Sequence, residues 1–298
     1  MAQITAADVK KLREMTGAGM MDCKKALSAS DGNLDAAVDF LRKKGLSAAA
    51  KKAGRVAAEG IVMATANKNI GVIIEVNSEI DFVSKNERFR SFVNDLGQLI
   101  LRKNPADVDA LNKLDFGGGQ SVEQALSQMI STIGENMSIR RFDRTQVDHG
   151  VASAYVHGAG KIGVLVGITG GDGDPLNKIA RGIAMHVAAA NPQYIRREDV
   201  PADAVERERT VLSERAAASG KPEHIIDKIV SGQLNKFYAD ICLLEQAFIM
   251  DADQTVAKAL AAVQQDAEIV FVRRFQLGEG IEKEENDFVA EVAAQVNG

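Results

Sequence analysis

The pattern that most resembles a chemical site is the glycine-rich segment from Gly158 to Gly163, which reads Gly-Ala-Gly-Lys-Ile-Gly. Its spacing matches the G-x-G-x-x-G loop of dinucleotide-binding proteins, in which a strand leads into the glycines and a helix begins within them. That helix is required because its free N–H groups hold the phosphate. Here the following residues, Val164 to Ile168, predict a strand. The segment is therefore interpreted as a hairpin turn and not as a nucleotide site.

Other ligand-binding patterns in the sequence are incomplete. A phosphate-binding loop needs glycine where Tyr155 stands, and Ser or Thr where Ile162 follows the lysine. The segment 170–175 carries two acids but lacks the remaining ligands of a calcium loop, and it predicts a turn before a helix. Cys23 and Cys242 have neither disulfide nor zinc spacing. These patterns predict no metal and no cofactor.

The histidines also give no catalytic arrangement. They are scattered along the chain at His149, His157, His186 and His224. Neither a His-x-x-x-His pair nor a Ser/His/Asp arrangement follows from their spacing. His186 lies in an otherwise apolar helical run (183–188), where a histidine is typical of a hydrogen-bonded core or rim position. We therefore predict no catalytic residues and expect the protein not to be an enzyme.

The composition is that of a globular chain of about two domains, with 298 residues, 46% hydrophobic and 26% charged. It contains no run of about 18 apolar residues, so no membrane span is expected. The first residues lack the basic and apolar pattern of a signal peptide, which predicts a cytoplasmic location.

Charge is distributed unevenly along the chain. Residues 1–55 hold 11 Lys and Arg against 6 Asp and Glu, whereas residues 277–298 hold six acids and one lysine. The basic segment has few aromatic residues to stack on bases, which disfavours a nucleic-acid site. A modest basic patch fits an acidic protein partner better, because it steers the encounter.

The elements that would position a site begin with three predicted helices. The first begins at Thr5, a good N-cap residue, and ends at Gly17, where positive φ allows a tight turn. Met20 and Met21 are expected at the tip of that turn, before the second helix. The third helix is predicted over 34–45, with Gly45 as its C-cap.

An internal repeat organises the rest of the chain. A β-hairpin predicted over 61–74 returns at 152–166, and each copy leads into a helical pattern. Each copy then closes with a strand that carries two arginines, at 139–142 and at 272–275. This predicts two three-stranded antiparallel sheets with helices, whose apolar runs are buried on more than one side. Residues 107–120 are expected to form a flexible insertion.

The second copy is longer, and its excess is strongly helical. A helix through Leu212 is predicted to stop at 219–222, and a second helix returns from it. The apolar stripe of this second helix is Ile226, Val230, Leu234, Phe237, Ile241 and Leu244. Such a stripe predicts an antiparallel helical hairpin that projects from the core.

In this order of elements the chain resembles the elongation factor Ts family along essentially its whole length. The joint Thr-Gly-Ala-Gly-Met-Met-Asp-Cys-Lys-Lys-Ala-Leu (16–27) is similar to the family's amino-terminal domain, and three such helices resemble a ubiquitin-associated domain. The expected fold class is α+β. The implied divisions are a ubiquitin-associated-like helical domain (1–54), a first core half (55–145), a second core half (146–280) with a coiled-coil hairpin inserted at 202–248, and a C-terminal helical module (281–298).

The resemblance also implies a function. Members of this family bind the GTPase elongation factor Tu, in its GDP-bound and nucleotide-free forms, and act as guanine-nucleotide exchange factors in translation elongation. The implied mechanism is a disturbance of the Mg²⁺ and phosphate site, within a heterodimer or larger complex. It needs no cofactor, no metal of the factor's own, no nucleic acid and no membrane.

The same resemblance implies which residues bind the partner. The segment Ile80-Asp81-Phe82-Val83 is similar to the family's Thr-Asp-Phe motif, with Ile80 in place of the threonine. It falls on the connection between a buried strand and a helix, where an aromatic side chain is presented on a rigid support. The other partner-binding residues implied are Met20, Met21, Lys24, Ile133, Gly134 and His186.

The residues alone leave two other function classes open. An enzyme or nucleotide-binding protein could use a cleft between the two halves, and the purified chain would then bind a nucleotide by itself. An RNA-binding protein could use the basic segment 1–55, and its affinity would fall steeply with salt.

Overall fold

The structure, a computed structural model, describes residues 4–218 and 222–282. The predicted C-terminal module lies outside the described residues except for 281 and 282, as does most of the predicted helix stop at 219–222. Among the described helices, none is long and apolar enough to cross a membrane.

The described helices and strands follow one another in an α+β order. The helices are α1 (Ala6–Thr16), α2 (Met20–Ala29), α3 (Leu34–Lys52), α4 (Glu87–Lys103), α5 (Val108–Lys113), α6 (Val122–Ile133), α7 (Asp174–Ala190), α8 (Ala202–Ala217), α9 (Glu223–Ile241) and α10 (Val256–Val263). The strands are β1 (Glu59–Asn67), β2 (Ile70–Ser78), β3 (Asp115–Gly117), β4 (Gln120–Ser121), β5 (Met137–Gln146), β6 (Gly150–His157), β7 (Ile162–Thr169), β8 (Ala247–Phe248), β9 (Asp251–Thr255) and β10 (Ile269–Gln276).

The three predicted N-terminal helices are confirmed. Thr5 and Asp8 form a reciprocal capping box at the start of α1, which satisfies N–H groups that the helix cannot bond itself. Gly17 ends α1 with a φ of 67°. The prediction for Met20 and Met21 was wrong in detail, because Gly19 is the N-cap of α2 and the two methionines form its first turn.

Gly45 does not end the third helix, contrary to the prediction. It lies buried in the middle of α3, which continues to Lys52. A Cβ atom at this position would be 3.5 Å from the carbonyl oxygen of Ser127 in α6. The glycine therefore lies inside the helix, facing α6, and is not a C-cap.

The duplicated core is confirmed, with one antiparallel sheet in each half. The sheets have the strand orders β1-β2-β5 and β10-β7-β6. Helices α4 and α6 pack on the outer face of the first sheet, and α7 and α10 on that of the second. The inner faces pack against each other through an apolar cluster that contains Val62, Ile73, Leu165 and Phe271. The central strands are therefore buried on both faces, as predicted.

The segment 107–120 is ordered, contrary to the prediction of a flexible insertion. It forms α5 and the hairpin β3-β4, whose turn uses positive φ at Gly118 and Gly119. Phe116 anchors the hairpin against Phe92 of α4, with ring centroids 5.1 Å apart. The second half has the equivalent hairpin β8-β9 before α10. The repeat thus includes this hairpin in both copies.

The long insertion in the second half does form two packed helices, α8 and α9. Their shared core contains Leu212, Ala216 and Val230. The helical pattern ends at Ile241 rather than at 248, because Cys242 has an extended backbone and pairs with Tyr194. The residues that follow α9 turn back into the core of the second half.

Candidate protein-binding site

Phe82 is the large hydrophobic side chain that the described surface exposes most, at 70%. It lies in a short 3-10 turn (Asp81–Lys85) that follows β2 directly. Ile80 beside it is also exposed, and the Lys85 ammonium lies 5.0 Å from the Phe82 ring centroid. An exposed aromatic next to a second apolar side chain is typical of a protein-binding site.

The turn that carries Phe82 is fixed by a buried side chain and by hydrogen bonds to its backbone. Val83, one of the predicted contact residues, is buried in the core of the first half and anchors the turn there. The Ser84 hydroxyl donates to the Asp81 carbonyl at 2.6 Å, and the Ser78 hydroxyl donates to the Ile80 carbonyl at 3.0 Å. The Asp81 side chain is exposed beside Phe82. Anchored in this way, Phe82 presents a fixed apolar surface.

The loop after α6 is tied to the start of the Phe82 segment. Gly134 ends α6 with a φ of 90°, and its carbonyl accepts a hydrogen bond from the Lys52 ammonium. The Asn136 N–H donates to the Glu79 carboxylate, and the Asn136 amide donates to the Arg55 carbonyl at 2.7 Å. These bonds link the predicted site residue Gly134 to the segment that carries Phe82.

Two carboxyl groups, Glu79 and Glu135, share this junction. Partial burial raises the pKa of Glu79, but the Asn136 N–H and Arg55 outweigh it, so the pKa lies below its ordinary value. Burial raises the pKa of Glu135, and the neighbouring Glu79 raises it further. Glu79 therefore carries the negative charge that fixes the loop after α6. Glu135 keeps its proton to a higher pH than an ordinary glutamate does.

A second exposed apolar area lies on the N-terminal helices. Met20 and Met21 are 60% and 64% exposed. Together with Ile4 and Val9 they line an open groove of about 610 Å³. Its lining also includes three basic residues, Lys10, Arg13 and Lys24. An apolar floor with a basic border suits a partner surface that is apolar with acidic residues around it.

The helix α6 connects the methionine area to the rest of the site. The Gln128 amide donates to the Thr16 carbonyl at 2.8 Å, just before the α1–α2 joint. Arg88 of α4 donates to the Gly17 carbonyl at 3.4 Å. Ile133, at the other end of α6, is half-buried against the core of the first half. One helix thus supports both the methionine area and the loop beside Phe82.

His186 is almost fully buried, so its side chain does not form part of the exposed surface. Its Nδ1 accepts from the Ile249 N–H at 3.2 Å, and its Nε2 lies 2.8 Å from Gln246 Oε1. The first bond requires an unprotonated Nδ1, so Nε2 carries the proton and donates to Gln246. His186 therefore supports the turn between β8 and β9 from inside the second half.

That turn carries two exposed residues that the sequence analysis missed. Ile249 and Met250 are 54% and 61% exposed. The signal in the sequence is the apolar pair Ile249-Met250 itself, which stands directly before the acidic segment 251–253. The second half thus has an exposed apolar area of its own.

The glycine-rich segment forms the predicted hairpin turn. Gly158, Ala159 and Gly160 have positive φ between β6 and β7. The Gly160 carbonyl accepts from the Val62 N–H at 2.8 Å, and Lys161 pairs with Glu59 at 2.8 Å. The turn therefore joins the two halves instead of binding a phosphate. Within 4–218 and 222–282, no group of three or more His, Cys, Asp or Glu side chains could hold a metal ion.

Comparisons with known proteins agree with this architecture. The family model described as Elongation factor TS matches residues 79–279, and the UBA/TS-N domain model matches residues 4–41. The chain is 50% identical to "Elongation factor Ts" of Syntrophotalea carbinolica, over 98% of this chain and 99% of that protein. It is 51% identical to the protein of that name from Rhodospirillum rubrum, over 99% of both chains. It is 50% identical to that of Parvibaculum lavamentivorans, over the full length of both. The chain therefore belongs to the elongation factor Ts family.

Proposed function

We propose that this protein is a guanine-nucleotide exchange factor for elongation factor Tu and acts in the cytoplasm during translation elongation. It binds the GTPase in its GDP-bound and nucleotide-free forms and catalyses no covalent step. The observation that carries this proposal is the exposed, rigidly anchored Phe82 in a chain of the elongation factor Ts family.

GTPases hold GDP with a phosphate-binding loop and a Mg²⁺ ion that bridges protein and phosphate oxygens. We infer that Phe82 inserts between elements near that Mg²⁺ and displaces their side chains, with Asp81 beside it. Because Val83 and the Ser84 and Ser78 hydrogen bonds fix the turn, little conformational entropy is lost when Phe82 is inserted. The disturbed GDP site then releases its nucleotide faster.

The other exposed areas supply affinity and orientation. Met20 and Met21 dock apolar surface, and Lys24 faces acidic groups of the partner. Ile133 and Gly134 extend the area around Phe82, and the 249–250 turn supported by His186 adds a contact from the second half. These residues therefore define one extended interface with a single GTPase.

The coupling between nucleotide and factor must be reciprocal. If the bound factor weakens GDP binding by some ratio, GDP weakens factor binding by the same ratio. At substoichiometric concentration the factor acts as a catalyst and leaves the equilibrium between the GDP-bound and GTP-bound forms unchanged, so the nucleotide concentrations set the direction of exchange.

The test is stopped-flow release of a fluorescent GDP from elongation factor Tu, with this chain at substoichiometric concentration. We expect strongly accelerated release and several turnovers per molecule of factor. An unchanged release rate, with folded protein and active GTPase, would refute the proposal.

The same preparation separates the two other function classes. An apolar cluster packs the inner faces of the two sheets against each other, which disfavours a nucleotide cleft between those faces. We therefore expect the purified chain alone to bind neither nucleotides nor RNA. Tight binding of either ligand by equilibrium dialysis would favour the corresponding class.

A further inference from the structure

Glu75 is a fully buried carboxylate that no part of the proposed mechanism uses. It lies on β2 and accepts hydrogen bonds from four donors. These are Arg140 Nη1 at 3.0 Å, Arg141 Nε at 2.7 Å, Asn77 Nδ2 at 3.1 Å and the Gly278 N–H at 2.8 Å. Charged groups are buried only where such partners compensate the lost hydration. The Glu75 carboxylate and its four donors therefore form a buried polar junction in which the charge is compensated.

A β-bulge makes this junction geometrically possible. Side chains of consecutive strand residues normally point to opposite faces of a sheet. In β5 the register shifts opposite Glu75 and Val76, so that Arg140 is an extra residue between Arg141 and Ile139. A bulge redirects side chains. Both arginines can thus reach the same carboxylate.

The two arginines extend the junction into the second half. The Arg141 guanidinium stacks on the Phe275 ring at 4.2 Å and donates to the Gln276 carbonyl at 3.3 Å. It also pairs with the Glu279 carboxylate at 3.2 Å, and Arg140 donates to the Glu279 carbonyl. These partners lie on β10 or directly after it, so the cluster joins the end of the second half to the first sheet.

We propose that Glu75 is a positioning residue that fixes the Phe82 area of the first half relative to the Ile249–Met250 turn of the second. This inference rests on the proposed function. Glu75 lies on β2, the strand that leads into the turn carrying Phe82, and the 249–250 turn belongs to the same half as β10, the strand that Gly278 follows. When the Phe82 area and the Ile249–Met250 turn are fixed relative to each other, one partner can bind both. Once the partner has bound the first area, it meets the second at a high effective concentration.

The first test needs no partner. Spin labels are placed at the exposed positions Glu87→Cys, in the first half, and Ala252→Cys, in the second. The native Cys23 and Cys242 are buried and remain unlabelled. Pulsed electron paramagnetic resonance then reports the distribution of distances between the halves.

We expect a narrow distribution for the labelled parent and a distribution at least about twice as wide for Glu75→Gln, since a single uncharged amide cannot hold all four donors. Arg141→Lys serves if Glu75→Gln folds poorly, because lysine keeps the charge but loses the stacking and the forked bonds. Asp143→Asn is the matched control, since its pair with Arg273 also joins the halves but is partly exposed. An unchanged width in both Glu75→Gln and Arg141→Lys would overturn the proposal.

The second test uses GDP release from elongation factor Tu. We expect Glu75→Gln to raise the half-maximal factor concentration about tenfold while the maximal rate stays unchanged, because Phe82 still acts once bound. In a Met250→Ala background the same change should have almost no further effect, since one area is already lost. An equal loss in both backgrounds would show a local effect and contradict positioning.

The two tests also separate this inference from the proposed function. If the unmodified chain fails to accelerate GDP release, the proposed function fails. The distance measurement still decides whether Glu75 fixes the two areas relative to each other.

Discussion

Replacing Glu75 by glutamine should destabilise the folded protein by about 3 kcal/mol at neutral pH. The carboxylate accepts four hydrogen bonds, two of them from arginines that also pair with residues after β10. Hydrogen bonds to charged groups contribute about 1.5–3 kcal/mol each. Glutamine keeps one acceptor oxygen and turns an amide donor toward a guanidinium. The loss therefore exceeds that of one bond and includes two partly uncompensated charges.

This destabilisation should depend on pH in a defined direction. Burial raises the pKa of Glu75, but the Gly278 N–H, Asn77 and the two arginines outweigh it, so the folded-state pKa lies below 4.5. A carboxyl group with a lowered folded-state pKa stabilises the protein fully above its unfolded pKa. That contribution is lost as the pH falls through the folded-state pKa. The difference between parent and Glu75→Gln should thus be constant above about pH 5.5 and shrink in acid.

The assay is urea unfolding of parent and variant at pH 7 and at several values down to the lowest at which both fold. Taking the difference between the two proteins removes the titration of carboxyl groups they share. Asp143→Asn, at an exposed ion pair, should differ from the parent by less than about 1 kcal/mol. A Glu75→Gln difference below about 1 kcal/mol, or one that grows in acid, would refute the reasoning.

Three further predictions concern other parts of the molecule. Burial raises the pKa of the Cys242 thiol to about 11 and also raises the pKa of Cys23. Neither thiol should therefore react with iodoacetamide at pH 8 until urea unfolds the protein. Rapid modification of the native protein, measured by mass spectrometry, would contradict this. Gly45→Ala should stabilise the protein by about 0.5–1 kcal/mol, because its Cβ meets α6 at ordinary contact distance, whereas Gly45→Leu should destabilise it; thermal unfolding compares them. His186→Ala and Met250→Ala should each weaken GDP-release activity, and the double variant should lose little more than the stronger single one; full additivity would show that they act separately.

Much of the fold was predictable because its signals are local. Caps such as Thr5 and Gly17, and the alternation of apolar strands with turns, mark where elements begin and end. The repeat of the hairpins and of the Arg-Arg pairs indicated two similar sheets. The position of Gly45 was not predictable, because a glycine that ends a helix and one that faces a neighbouring helix from its interior look alike in sequence.

The candidate site was predictable only where its residues are exposed for local reasons. The motif resemblance indicated Phe82, Met20 and Met21, and the structure shows all three exposed. Val83 is buried by tertiary contacts that the sequence does not show, whereas the buried, hydrogen-bonded position of His186 is the core or rim position that its apolar helical run predicts. The contact role of all these residues stays a prediction, as does the division of the chain into the ranges proposed above. The role of Glu75 could not be predicted, because it depends on a bulge and on partners about 65 and 200 residues away.

The most direct test of the account compares Phe82→Ala with Phe40→Ala in stopped-flow GDP release from elongation factor Tu. Phe40 is also an exposed phenylalanine, but it lies on α3 and away from the turn 81–85. Removing an aromatic hot spot is worth about 2–4 kcal/mol, or ~30- to 1000-fold in rate. We expect a loss of that size for Phe82→Ala, with unchanged folding, and near-normal release for Phe40→Ala. Normal exchange by Phe82→Ala in a verified complex would contradict it.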